Sequence, residues 1–461
     1  MPEFFEYVLW QLKNSFVFVA MLCVLALAVM VLLRLVFRGK RKLTWPGMLL
    51  WLGFLAYLAV LLYATILRHS GGYREYNWHL FRAWREAWNN FSAKNWGNVL
   101  LNVALFVPLG FFLPLLFKGG RKWYITVPGG FGISALIEVA QLALCRGICD
   151  VDDLFCNGLG AIIGYFAVMA LLALSREKGQ RLKPFLAYSC LTLVPLVAIG
   201  SIFIAYHAKE YGNFPGAPAY SVNLSHLEWD LECELPETEE ASVFRAKTMN
   251  YEDCEAFAED LAGLIGQEVD ITSYYQEMAY YNLTNGVVMV NYHDGGYEFR
   301  AFSLPFEVGS EPGRMEIEEA LEPYSITVPE AAVFAIEDDG WYSFTCDQVV
   351  DGAVMLDGVL RVRHEVTEDF SHLEIENYLI RYSHYQDVPI LSPMKAYQEL
   401  LRGNFEYAEA LKYDAGDAVS VISCELDYEI DTKGFYQPVY RFEISLPGTD
   451  YICPAMIPAI K

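Results

Sequence analysis

The chain has 461 residues, 57 of them acidic and 33 basic, and a formal net charge of −24, yet its mean hydropathy is +0.23. The two figures belong to different stretches: residues 1–205 hold 19 Lys and Arg against 9 Asp and Glu, whereas residues 206–461 hold 14 against 48, so a part at +10 is fused to one at −34. Nucleic acid is excluded as a partner, because the acidic part repels phosphate and the basic residues of the first part fall in short loops between apolar runs. The acidic part is long enough for one large or two small cored domains.

A helix needs about 20 apolar residues to cross roughly 30 Å of hydrocarbon. Six stretches qualify: 16–37, 46–67, 97–117, 123–144, 154–174 and 185–206. Arg38, Lys40, Arg41 and Lys42 follow the first, Lys118, Arg121 and Lys122 the third, and Arg176, Lys178, Arg181 and Lys183 the fifth. The positive-inside rule puts those loops in the cytoplasm. The N-terminus, with Glu3 and Glu6 against Lys13, is then expected outside, as are the loops 68–96 and 145–153 and everything after Tyr206. Positive charge follows the first apolar run instead of preceding it, so that run is expected to be a retained span and not a cleaved signal peptide.

The expected fold is therefore an α-helical polytopic membrane bundle of six spans with a C-terminal extracytoplasmic α+β domain. Residues 1–45 supply a transmembrane helix and basic loop, 46–174 the main membrane domain, 175–206 a second basic loop and the sixth span, and 207–461 the acidic domain, as one body or two subdomains.

Within the spans, polar side chains gather at one depth. Asn98 and Asn102 share a face of the third span at i and i+4, and Glu138 and Gln141 share a face of the fourth at i and i+3. Asn157 lies just inside the fifth, after the loop Arg146-Gly147-Ile148-Cys149-Asp150-Val151-Asp152-Asp153. An ionisable group in hydrocarbon costs about 2.5–3.5 kcal/mol even on lenient scales, so Glu138 should face a wet or partnered interior. The plain reading of each amide is interhelical hydrogen bonding worth about 1 kcal/mol or less; three spans and a loop converging at one depth point further, to a cavity.

Asp150, Asp152 and Asp153 precede a helix, where one carboxylate can cap free N–H groups. Three acids exceed what one cap needs, yet their spacing is no established metal pattern, and neither a metal nor any other cofactor is expected. Gly158, Gly160 and Gly164 would let the fifth span approach a neighbour closely, while Pro108 and Gly110 stand where the third could bend. In the loop before the third span, Trp78, Phe81, Trp84, Trp88 and Phe91 recur at steps of three and four around Arg82, Arg85 and Glu86. That pattern predicts an amphipathic helix in the interface, either an anchor or a cover over the polar layer with its arginines available to phosphate. Cys145 and Cys149 share a loop, and the five cysteines beyond Tyr206 are too many by one for a complete internal disulfide set.

The ordered series Asn77 to Arg82 (N-W-H-L-F-R), Asn98, Asn102, Phe106, Pro108 and Gly110 (N-x-x-x-N-x-x-x-F-x-P-x-G), Glu138 and Gln141 (E-x-x-Q), then Arg146, Asp150, Asp153, Asn157, Gly160 and Gly164, resembles the VanZ-like family of bacterial membrane proteins over roughly residues 46–174. Leu80 departs from it, since the family often has proline before the Phe of the first element. The resemblance implies envelope biology and, through the protein that gave the family its name, reduced susceptibility to teicoplanin, a glycopeptide that binds cell-wall precursor.

Beyond Tyr206, Asn250 is expected to cap a helix ending at Gly266, and Ser392-Pro393 to open a helix closed by Gly403. Strands are expected at 286–292, 297–303, 359–366, 418–426 and 439–444, with helix-then-strands recurring two or three times. Residues 391–405 followed by 434–440 resemble PepSY-like extracytoplasmic regulatory domains. No nucleophile set, zinc spacing or phosphate loop is legible there.

The leading expectation is a multi-pass cell-membrane protein whose cavity engages a membrane lipid, a lipid-linked cell-wall precursor or a glycopeptide headgroup through Arg82, Asn98, Asn102, Gln141, Arg146, Asp150, Asp153 and Asn157. Glu138 is expected to position the ligand or accept protons, and Asp150 and Asp153 to orient Arg146 toward an anionic group. Two alternatives stand beside it: an intramembrane hydrolase or transferase using Glu138 and the Asp loop, and a sensor subunit meeting a membrane partner through the acidic domain.

Overall fold

The computed structural model describes residues 45–67 and 75–461, apart from 178, 237, 275–277, 293, 305, 310–311, 367–370, 415, 417 and 449–450. The expected span at 16–37 and its basic loop lie outside the described residues. The chain divides into two compact units, residues 1–210 and 211–461.

In chain order the first unit contains α1 (Trp45–Leu62, continued as a wider turn through Leu67), β1 (Glu75–Asn77), α2 (Arg82–Asn90), α3 (Ala93–Leu116), α4 (Trp123–Leu144), β2 (Ile148–Asp150), α5 (Val151–Leu174) and α6 (Leu182–Ala208). Among the described residues, α1, α3, α4, α5 and α6 are long and apolar enough to cross a membrane, and each coincides with an expected span. Ser92 caps α3 by accepting from the Asn95 N–H, and Asp150 caps α5 by accepting from the Asp152 N–H.

The most buried of these helices is α5, and its glycines are the reason. A Cβ on Gly160 would lie 2.0 Å from the Val103 carbonyl oxygen, and one on Gly164 only 1.9 Å from that of Val107. From the other side, a Cβ on Gly110 would lie 2.1 Å from the Ala161 oxygen. Backbone therefore meets backbone along α3 and α5, the contact that small residues permit between membrane helices. Pro108 and Gly110 do not interrupt α3, which runs unbroken to Leu116; Gly110 is spent on this close approach.

The expected interfacial helix is shorter than its aromatic pattern. Trp78 and Phe81 precede α2 and are exposed, while Trp84, Trp88 and Phe91 turn inward: Trp84 meets Trp96 of α3 and Phe155 of α5 edge-on, and Trp88 and Phe91 pack against Tyr206 of α6. The aromatic side of α2 is thus used for packing within the unit.

The second unit is β-rich with helices, in keeping with the α+β expectation. Its elements are β3 (Glu228–Leu231), β4 (Glu240–Arg245), α7 (Tyr251–Leu264), β5 (Val269–Tyr274), β6 (Met278–Leu283), β7 (Gly286–Asn291), β8 (Tyr297–Phe302), α8 (Arg314–Leu321), β9 (Val333–Ile336), β10 (Tyr342–Asp351), β11 (Val354–Val366), β12 (Ser371–Asn377), β13 (Ile380–Pro389), α9 (Pro393–Leu400), α10 (Ala408–Asp414), β14 (Ala418–Ile430), β15 (Phe435–Ser445) and β16 (Ile452–Pro458). Hydrogen bonding runs without a break in the order β3-β14-β15-β4-β13-β11-β12-β8-β7-β6-β5, with β16 on β15, and β10 and then β9 on β11.

Helix followed by antiparallel strands recurs three times, after α7, after α8 and after α9–α10. The sheet serves two large cores, one around Phe405, Tyr440 and Phe442 and the other around Tyr281, Phe299 and Phe344, with a smaller cluster around Phe244, Met355 and Tyr382. The two large cores are joined through β11, whose first residues pair with β13 and whose later ones pair with β12. Between those registers stands Gly358, at φ +104°, where a Cβ would meet the Tyr378 carbonyl at 2.1 Å.

Candidate functional site

The polar residues of the first unit converge where α4 ends and α5 begins. Helix α4 stops at Cys145, in left-handed conformation, and Gly147 at φ +117° turns the chain into β2. Strand β2 pairs in parallel with β1, setting Asn77 opposite Asp150. The Asn77 side chain donates to Asp150 Oδ1 at 3.0 Å and accepts from the His79 N–H at 3.0 Å.

Each carboxylate near this turn has a specific task. Glu138, buried in α4, accepts from the Asp150 N–H at 2.9 Å through Oε2. Asp150 Oδ1 also accepts from the Asp152 N–H at 2.8 Å, capping α5. Asp152, with 0 % of its surface exposed, accepts from the N–H groups of Phe81, through Oδ1, and Ala83, 2.7 Å away, through Oδ2. It therefore fastens the start of α2 to the start of α5. Asp153 accepts from the Asn102 side chain, tying α3 to α5.

The amides complete the frame. Gln141 Nε2 donates to the Thr65 carbonyl at 3.0 Å, linking α4 to the end of α1, and Asn157 Nδ2 donates to Ser134 Oγ at 2.9 Å, linking α5 to α4. Among the described residues, Gln141 Oε1 and Asn157 Oδ1 are buried without a hydrogen-bond partner. Such orphaned acceptors are costly, about 1–3 kcal/mol each, so this interior is polar beyond what the helix contacts satisfy.

Two expected members stand apart. Asn98 is exposed and its side chain makes no hydrogen bond among the described residues, one turn away from the Asn102–Asp153 pair. Arg146 forms no side-chain hydrogen bond or ion pair among the described residues, because Asp150 is taken up by Asn77 and the α5 cap and Asp153 by Asn102. The expectation that Asp150 and Asp153 orient Arg146 is corrected accordingly.

Beside the network lies an open cleft of about 440 Å³ lined by Tyr76, Asn77, Arg82, Ala83, Glu86, Ile148 and Asp150. Arg82 and Glu86, one turn apart on α2, form an ion pair at 2.7 Å with both side chains over 40 % exposed. Tyr76, Trp78, Leu80 and Phe81 present exposed apolar surface in the same segment. Burial of the Cys149 thiol, in β2, raises its pKa from the ordinary value, so this thiol stays protonated near neutrality. Among the described residues no group of three or more His, Cys, Asp and Glu side chains is arranged to hold a metal ion.

Four residues that share the network were not singled out as site residues from the sequence. Asn77 lies in the first motif, and Asp152 stands among the loop acids. Ser134 precedes Glu138 by four and Gln141 by seven, one helical face, which is a signal that could have found it. Thr65 contributes only its carbonyl to Gln141 and left no mark in the sequence.

Residues 54–173 match the VanZ/LLP1 family model. The match contains α3, α4, the β1–β2 pair and nearly all of α5, hence the whole network and the cleft. The matched stretch of the membrane half is VanZ-like, as the ordered motif series implies, and several helices of the first unit are long and apolar enough to cross a membrane. No curated protein matches the chain.

Proposed function

We propose that the VanZ-like segment holds a polar headgroup, of a lipid-linked envelope precursor or a teicoplanin-type glycopeptide, in the cleft between the β1–β2 pair and α2. The observation that carries this reading is the division of labour among the acids. Glu138, Asp152 and Asp153 are turned into the network that holds the loop, whereas the Arg82–Glu86 ion pair and Asp150, which also takes part in that network, line open space. A cleft with both charge signs, edged by exposed Tyr76, Trp78 and Phe81, suits a ligand reached from the membrane interface, where aromatic side chains favour the headgroup level. Basic loops after the third and fifth expected spans support an orientation with this cleft and the acidic unit outside the cytoplasm.

The test uses a bacterial host expressing the full chain and its variants. Asp150→Asn keeps a good helix cap and removes the charge, and Arg82→Ala removes the cation. Both are expected to restore susceptibility to teicoplanin-type drugs while protein in the membrane fraction stays constant. Unchanged susceptibility in both variants refutes the proposal.

A further inference from the structure

The 211–461 unit carries 47 acidic and 13 basic residues, so its cations are scarce. Six of them, Arg300, Arg314, Arg361, Arg363, Arg402 and Arg441, are held in ion pairs with carboxylates. The side chains of Lys247 and Arg381 make no ion pair or hydrogen bond among the described residues, and both residues are exposed. They line the same cleft, about 350 Å³, whose other walls include Asp294 and the apolar side chains Met249, Leu379 and Ile380.

The fold brings these positions together from three separate stretches. Lys247 and Met249 follow β4, and the Met249 N–H donates to the Tyr292 carbonyl at 2.8 Å. Asp294 and Gly295 form the β7–β8 turn, which Asp294 fixes by accepting from the Gly296 N–H at 2.8 Å; a Cβ on Gly295 would lie 3.1 Å from the Met249 sulfur. Arg381 stands in β13, paired with Leu356 of β11.

We infer that this cleft is a binding site for a monoanionic carboxylate carried on a short apolar body. The lining charges, two cations and one carboxylate, sum to +1 and match a single anion. A guanidinium fork donates two parallel hydrogen bonds to a carboxylate, an ammonium adds a point charge, and Met249, Leu379 and Ile380 receive the apolar part. At physiological ionic strength exposed charges beyond about 8 Å are largely screened, so most of the acidic surface counts little here. The site lies wholly within the acidic unit and is independent of the headgroup cleft.

The test is calorimetric titration of the full chain in neutral detergent with butyrate, 1-butanol and inorganic phosphate. Butyrate is expected to bind with a dissociation constant on the order of 1 mM, and the neutral alcohol with the same number of carbons not to saturate. Lys247→Gln combined with Arg381→Gln should weaken butyrate at least tenfold with an unchanged unfolding midpoint. Asp294→Asn, which retains the turn acceptor, should tighten it two- to fivefold. The proposal is overturned by equal butyrate affinity in the double variant, by butanol binding as well as butyrate, by phosphate binding more tightly than butyrate, or by weaker butyrate binding to Asp294→Asn.

Discussion

Replacing Gly164 or Gly160 with alanine tests whether backbone contact between α3 and α5 holds the membrane unit together. An added Cβ would start 1.9 Å from the Val107 oxygen at Gly164 and 2.0 Å from the Val103 oxygen at Gly160. Close carbon–oxygen contacts between helices settle at about 3.3–3.6 Å, so the two backbones must part locally by roughly 1.5 Å. Overpacking of that kind costs about 1–3 kcal/mol, offset by up to about 1 kcal/mol from alanine's better helix propensity. The expected net loss is about 1–2 kcal/mol for each single variant. Gly129, Gly132 and Gly200 have nothing within 4 Å of the added carbon, so alanine there should be neutral or slightly stabilising. Denaturant-induced unfolding in detergent, read by helical circular dichroism, separates the two groups. If Gly164→Ala unfolds at the same midpoint as Gly132→Ala, the close contact is not what stabilises the bundle.

Asp152→Ala leaves the part-buried N–H groups of Phe81 and Ala83 without their acceptor and should destabilise the start of α2 by about 1–2 kcal/mol, seen as faster proteolytic nicking near residues 78–82. Glu138→Gln retains an acceptor for the Asp150 N–H and should preserve any headgroup phenotype, whereas Glu138→Leu should lose it; loss in the Gln variant would instead favour chemistry by the carboxylate itself. In the acidic unit, burial first, and then Asp427, Glu406 and Asp357, push the Glu429 carboxyl above the ordinary range. The folded state therefore binds this proton more tightly than the unfolded one, and stability is fully present below the unfolded pKa and lost as pH rises through the folded one. Glu429→Gln should flatten that decline, giving a higher unfolding midpoint than the parent near neutral pH and little difference under acid conditions.

Five of the six expected spans were legible as long apolar helices because length and hydropathy alone decide whether a helix can cross a membrane, and the polar layer was legible because a group such as Glu138 is conspicuous among leucines. Which acid binds which N–H was not legible. Asp150, Asp152 and Asp153 are adjacent in sequence, but the strand-to-helix turn sends them to Asn77, to the start of α2 and to Asn102, so neighbours in the chain serve three different elements. Arg146 illustrates the same limit, since proximity in the loop suggested partners that long-range contacts had already taken. In the acidic unit the caps at Asn250 and Ser392 and the closing glycines marked two helices correctly, with Asn250 and Asp253 forming a reciprocal capping box. The long β11 was read only from residue 359 onward, because Gly358 looks like an end in sequence, whereas in space it is where the strand changes partner.

The buried and the exposed acids of the membrane unit bear on each other through geometry. Glu138 holds the Asp150 N–H, so the Asp150 carboxylate is aimed by a contact on its own backbone as well as by Asn77 on its side chain. Asp152 fastens Phe81 and Ala83 on either side of Arg82, so the guanidinium reaches the cleft from a backbone held at both neighbours. The two charged walls of the cleft are therefore set by two buried carboxylates on different helices, and the α4–α5 turn fixes the spacing between them. A ligand bridging Arg82 and Asp150 would meet a preorganised pair, with less ordering entropy to overcome than flexible surface charges would demand. Loosening that turn at Gly147, where φ is +117° and an added Cβ would lie 3.2 Å from Gln141 Nε2, should then weaken ligand binding without touching a single residue that lines the cleft.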